Sequence, residues 1–123
     1  MDVIEMFERI KTYHKKLGYN FDGYTSEEKM RSFRDFALAL NQEVAEIVNS
    51  TPWKPWRAIE DQEYNICNVI REVIDCIFFL GGICEILNIS PGEINEMFIA
   101  VEKNNYLRIT EGYNNKEEDR GWY

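Results

Sequence analysis

Two short stretches fix how this chain can divide into elements. TSEE at residues 25–28 and SPGE at 90–93 each set a hydroxyl residue three positions ahead of a glutamate. In that arrangement the hydroxyl accepts from the third residue's N–H while the glutamate reaches back to the cap's own N–H, so both read as helix starts. In the second, Pro91 occupies the first helical position, where a missing N–H does no harm. The first start opens a helix to about Asn49, and a further helix spans roughly 60–87. Between them lies STPWKPWR, whose prolines can continue neither. Val3, Ile4, Phe7, Ile10 and Leu17 space an earlier helix over 2–17, with Asp2 as cap and Gly18 as stop, before the turn-rich GYNFDGY. Beyond residue 109 the chain changes to EGYNNKEEDRGWY, a tail over 110–123 that is ordered only where something holds it. No strand pattern competes. The expectation is an all-α, four-helix bundle-like chain, and 123 residues with 45% apolar content suit one domain over 1–123 with a single core.

A formal net charge of -8 argues against nucleic acid or an acidic membrane as a partner, since both require a basic face. The opening MDVIEMFERIK has neither a basic leader nor a small-residue cleavage site, and no long uncharged apolar run exists, so a cytoplasmic location is expected. Cys67, Cys76 and Cys84 lack CxxC spacing and fall in one predicted helix, which fits free thiols in a reducing compartment. With His14 the only histidine, a Zn²⁺ site has no nitrogen ligands to draw on.

Against that background the carboxylates stand out. On the second helix Glu43 shares a face with Phe36, Ala39, Leu40, Glu46 and Ile47, where a core residue is expected. On the third, Glu72 and Asp75 interrupt the apolar EVIDCIFFL and share their direction with Asn65, Asn68, Cys76 and Phe79. The broad apolar face of Ile66, Val69, Ile70, Val73, Ile77 and Leu80 points the other way, toward the expected core. Either acidic pair alone reads as ordinary surface charge. Two such pairs on consecutive antiparallel helices can converge, and converging carboxylates stay ionised together only around a cation. All-oxygen ligation selects Mg²⁺ or Mn²⁺, and a partly open site of that kind suits phosphate chemistry. Lys54 and Arg57 in the loop, and Lys103 and Arg108 late in the fourth helix, are the candidate counter-cations; for Lys103 and Arg108 a helix C-terminal charge effect is the simpler explanation. Trp53 and Trp56 could stack on a base, but packing is expected for at least one. Gly81 and Gly82, each costing about 1 kcal/mol in a helix interior, point to a close approach at a core or subunit contact.

Taken in order, ExxE (Glu43, Glu46), WKPWR (Trp53 to Arg57), ExxD (Glu72, Asp75) and KNNYLRITEGY (Lys103 to Tyr113) resemble the all-α nucleoside triphosphate pyrophosphatase superfamily. The likeness is greatest to the dimeric dUTPases and phage dCTPase-dUTPases, with MazG-type enzymes more distant. It spans about residues 30 to 113. The resemblance implies that Glu43, Glu46, Glu72 and Asp75 hold Mg²⁺, with Mn²⁺ as a substitute. One glutamate of the first pair, Glu43 by preference, would orient the attacking water. Lys54, Arg57, Lys103 and Arg108 would contact phosphates, and Asn105 and Tyr113 would sit by the sugar or base. Two departures, Val101-Glu102 in place of a Lys-Asn pair and Ile109 in place of a glutamine, leave the base open.

The expected activity is therefore Mg²⁺-dependent hydrolysis of a deoxynucleoside triphosphate, dUTP or dCTP, to the monophosphate and pyrophosphate. A homo-oligomer, dimer or tetramer, is expected to carry it out in the cytoplasm, or in the host cytoplasm for a phage-encoded protein. The alternatives are a purine nucleotide pyrophosphohydrolase on the same scaffold and a non-catalytic helical interaction module.

Overall fold

The computed structural model describes residues 1–112. Along it run α1 (Val3–Lys16), a 3-10 turn (Phe21–Gly23), α2 (Ser26–Asn49), a second 3-10 turn (Ile59–Asp61), α3 (Ile66–Ile86) and α4 (Pro91–Glu111). The protein is all-α, and no strand occurs among the described residues. No single helix among them is long and apolar enough to cross a membrane.

Both capping boxes form as the sequence implies. Glu28 N–H donates to Thr25 Oγ1 at 3.1 Å and Thr25 N–H to Glu28 Oε1 at 3.0 Å; Ser90 and Glu93 repeat the exchange at 3.1 Å each way. Those donors hold the Glu28 carboxyl below its ordinary range. The third helix starts later than expected. Residues 60–65 do not join it, because the Asn65 carboxamide accepts from the N–H groups of Cys67 (3.0 Å) and Asn68 (3.3 Å) and so caps α3 instead of extending it. At its far end Asn88 adopts φ 57°, a left-handed geometry that asparagine tolerates.

The described residues form two compact units, Arg9–Asn88 and Met1–Glu8 with the segment 89–112. Within the first, α2 packs on α3. Phe36 meets Phe79 and Gly82, Glu43 acts on Asp75, and Ser50 bonds Glu72, so positions ascend on α2 as they descend on α3 and the pair is antiparallel. The core is aromatic: Phe21, Phe36 and Ile86 are buried, with Tyr19, Tyr24, Phe33, Phe79 and Ile83 packed around them. Phe36 makes edge contacts with Tyr19, Phe21 and Phe79 at ring separations of 5.3–5.8 Å. The end of α1 is tied in by His14, 4% exposed, whose Nδ1 lies 2.9 Å from Glu85 Oε1.

Much of the apolar face of α3 that helical spacing directs to the core is exposed, with Val69 and Ile77 half-buried. Ile66, Ile70, Val73 and Leu80 are exposed, whereas Cys76, Gly81, Gly82 and Ile86 are buried. The cause is the partner. Phe36 and its ring neighbours need a flat surface to pack on, and Phe79, Gly82, Ile83 and Ile86 provide it.

Gly82 makes this contact possible. A methyl there would collide with the Phe36 ring and press on His14 Cε1 at 3.1 Å. Alanine for glycine ordinarily favours a helix by roughly 1 kcal/mol, but here overpacking dominates. Gly82→Ala is expected to destabilise the protein by about 1–3 kcal/mol in denaturant unfolding; a gain in stability would show that the contact yields.

Candidate active site

The antiparallel pairing brings ExxE and ExxD face to face. Phe36, Ala39, Leu40, Glu43, Glu46 and Ile47 all lie on the shielded side of α2, so Glu43 occupies a core-like position. Its Oε2 is shut off from solvent and accepts no hydrogen bond. Burial foremost, then the negative charge of Glu46 and a carboxyl hydrogen bond with it, with smaller contributions from Asp75 and Glu72, raises the Glu43 pKa above its ordinary 4.5. The same field reaches Cys76, whose thiol is pushed up by burial and by Glu43, Asp75 and Glu72. These effects place Glu43, Glu46, Glu72 and Asp75 in one electrostatic neighbourhood. Glu72 also accepts from Ser50 Oγ at 3.1 Å, so the last turn of α2 and the start of the loop are fastened to the acidic stretch of α3.

Among the described residues, no three His, Cys, Asp or Glu side chains converge into a ready-made ion cage. The chemistry of the donors nevertheless fits a hard divalent cation. They are carboxylate oxygens, and an orphaned, water-shielded one is costly to keep without a positive partner.

Glu43 and Asp75 open onto a cavity of about 530 Å³, the size of a small-molecule site. Its other walls are the rings of Tyr13, Tyr19, Phe36, Phe78 and Phe79, with His14 and Leu17. Tyr13 and Phe78 meet edge to face at 5.2 Å. Phe79 was legible as a neighbour of the acids, but Tyr13, His14 and Tyr19 were not, since the turn that returns them to α2 and α3 is a tertiary feature. The lone histidine was the available signal.

The loop residues are accounted for separately. Trp53 and Trp56 pack on each other, rings 5.6 Å apart and nearly perpendicular, and stay 44% and 69% exposed. Neither plugs the end of the helix pair, contrary to the packing expected for at least one. Lys54 is half-buried and Arg57 exposed. On α4, Lys103 and Asn105 are exposed and Arg108 half-buried, with Arg108 Nη1 3.5 Å from Asn105 Oδ1; the buried residue of that stretch is Asn104. Tyr113 lies outside the described residues.

The geometry is that of an all-α protein with acids gathered beside an aromatic cavity, and comparison with known families says what kind of protein carries it. The family model described as dUTPase matches residues 4–81, well over half of the 123. The chain belongs to the dUTPase family, whose activity is nucleoside triphosphate hydrolysis and whose members generally use Mg²⁺. The matched span contains all four acids and the loop, while Lys103, Asn105 and Arg108 lie beyond it. No curated protein and no solved structure matches the chain.

The raised Glu43 pKa sets a sign for stability. Glu43 holds its proton more tightly folded than unfolded, so its contribution is complete below about pH 4.5 and is lost as pH rises through the folded value. In the presence of a chelator, Glu43→Gln is therefore expected to melt at a higher temperature than the parent chain. That difference should widen from about pH 5 to pH 8; a constant difference would show that repulsion at Glu43 is not its cause.

Proposed function

We propose that this protein hydrolyses a pyrimidine deoxynucleoside triphosphate, dUTP or dCTP, to the monophosphate and pyrophosphate with Mg²⁺. The observation that carries the reading is Glu43, whose shielded and unpartnered Oε2 faces Glu46, Glu72 and Asp75 beside the aromatic cavity. These four carboxylates would hold the cation, with Mn²⁺ as a substitute. When bound, it withdraws charge from the phosphate oxygens and makes a water more acidic.

The chain's own residues then have separable tasks. Glu43, backed by Glu46, orients the attacking water and takes its proton on a carboxylate that burial makes more basic. Water oxygen joins the α-phosphorus, the bond to the bridging oxygen of the β-phosphate breaks, and pyrophosphate leaves. Lys54 and Arg57 offset the charge of the departing phosphates. The rings around the cavity take the base by stacking and exclude water from the reacting end. The order of motifs assigns Lys103 and Arg108 to phosphate and Asn105 and Tyr113 to sugar or base.

Assembly with a second copy, in the cytoplasm, completes the proposal. Its support is the exposed apolar side of α3, where Ile66, Ile70, Val73 and Leu80 form a face that one chain leaves open.

A panel of ribo- and deoxynucleoside triphosphates incubated with Mg²⁺ tests the reading. Turnover of dUTP or dCTP to pyrophosphate is expected, and Glu43→Gln should lower kcat by about 100-fold or more. Orthophosphate as product would overturn the cleavage position, a purine preference would overturn the base, and no turnover at all would favour a helical interaction module.

A further inference from the structure

Lys54 and Arg57 line a second cavity, of about 330 Å³, with Asp61, Gln62 and Glu63 among its other walls. Two acids so near would ordinarily capture the cations, yet neither Lys54 nor Arg57 is ion-paired among the described residues. Arg57 Nη2 donates instead to the backbone carbonyl of Asp61, at 2.8 Å.

What shapes this wall is one neutral side chain. Gln62 Oε1 accepts from the N–H of Lys54 at 3.0 Å, and its Nε2 donates to the carbonyls of Lys54 at 2.9 Å and Arg57 at 3.2 Å. The carboxamide thus imitates a strand neighbour, satisfying both backbone groups of Lys54 and one of Arg57. Pro52 and Pro55 have no N–H to compete for it. With its backbone held at these points, the loop presents two cationic side chains without freezing them into ion pairs.

We infer that Gln62 is a positioning residue that holds the Lys54–Arg57 loop ready, before substrate arrives, to receive the leaving phosphates. This rests on the reading above in one respect, that the loop contacts phosphate. Gln62 itself touches no reacting atom. It lowers the ordering cost of binding, so its removal should weaken affinity for the phosphate chain and leave the base site and the chemical step alone.

Steady-state kinetics with inorganic pyrophosphate and a deoxynucleoside as separate inhibitors tests this. In Gln62→Met, KM for the triphosphate and the inhibition constant of pyrophosphate should both rise about tenfold, with kcat within about threefold. Inhibition by the deoxynucleoside should not change. Gln62→Glu keeps the acceptor, turns a carboxylate on two carbonyls, and should weaken pyrophosphate binding at least as far. In a chain carrying Lys54→Ala and Arg57→Ala, Gln62→Met should add less than about twofold, because its effect passes through those residues. Unchanged pyrophosphate inhibition in the Lys54→Ala, Arg57→Ala chain would overturn the phosphate role of the loop. If that chain is weakened but both Gln62 variants bind pyrophosphate normally, or if they lose nucleoside inhibition equally, the positioning role is overturned. Hydrogen exchange on the unsubstituted protein removes dependence on any variant's folding. The Lys54 amide should exchange slowly before pyrophosphate is added, and protection that appears only on addition would overturn the role as well.

Discussion

The contact between the Phe36 ring and the bare backbone at Gly82 sets the rest of the molecule. It lets α2 and α3 approach closely at one end, and the Ser50 hydroxyl on Glu72 fastens them toward the other. An antiparallel pair anchored at those points has little freedom of register. Glu43, midway between Phe36 and Ser50, therefore comes opposite Asp75 and Cys76. The acidic neighbourhood thus follows from how an aromatic core packs on a glycine, and the cavity beside it is the outer side of the same ring cluster.

The elements were readable because their signals are local. A capping box is complete within four residues, so the starts of α2 and α4 could be placed from TSEE and SPGE alone. Asn65 is equally local, but an asparagine within an apolar-periodic stretch is ambiguous between a face position and a cap, and α3 was read too long for that reason. The direction shared by Cys76 and Phe79 was readable, but the exposure of Ile66, Ile70, Val73 and Leu80 was not. Helical spacing gives the direction of an apolar stripe, whereas the neighbour that covers it depends on Tyr19, Phe21 and Phe36 arriving from elsewhere in the chain.

The candidate site divides the same way. Glu43 was conspicuous because a carboxylate sat where a core residue belonged, and Glu72 and Asp75 because they broke an apolar run. His14 and Gln62 were not. The partner of His14 is Glu85, 71 residues away, and Gln62 matters through its bonds to the backbone of a loop whose shape its own type does not announce.

Cys76 shows what the acidic neighbourhood does to chemistry it was not assigned. Thiols react with peroxides and alkylating agents as thiolates, and a thiolate at this position would be a further negative charge set among Glu43, Asp75 and Glu72 in a shielded place. The thiol is accordingly held protonated. Burial first, and the neighbouring carboxylates second, thus hold this sulfur in the thiol form, which peroxides and alkylating agents attack least.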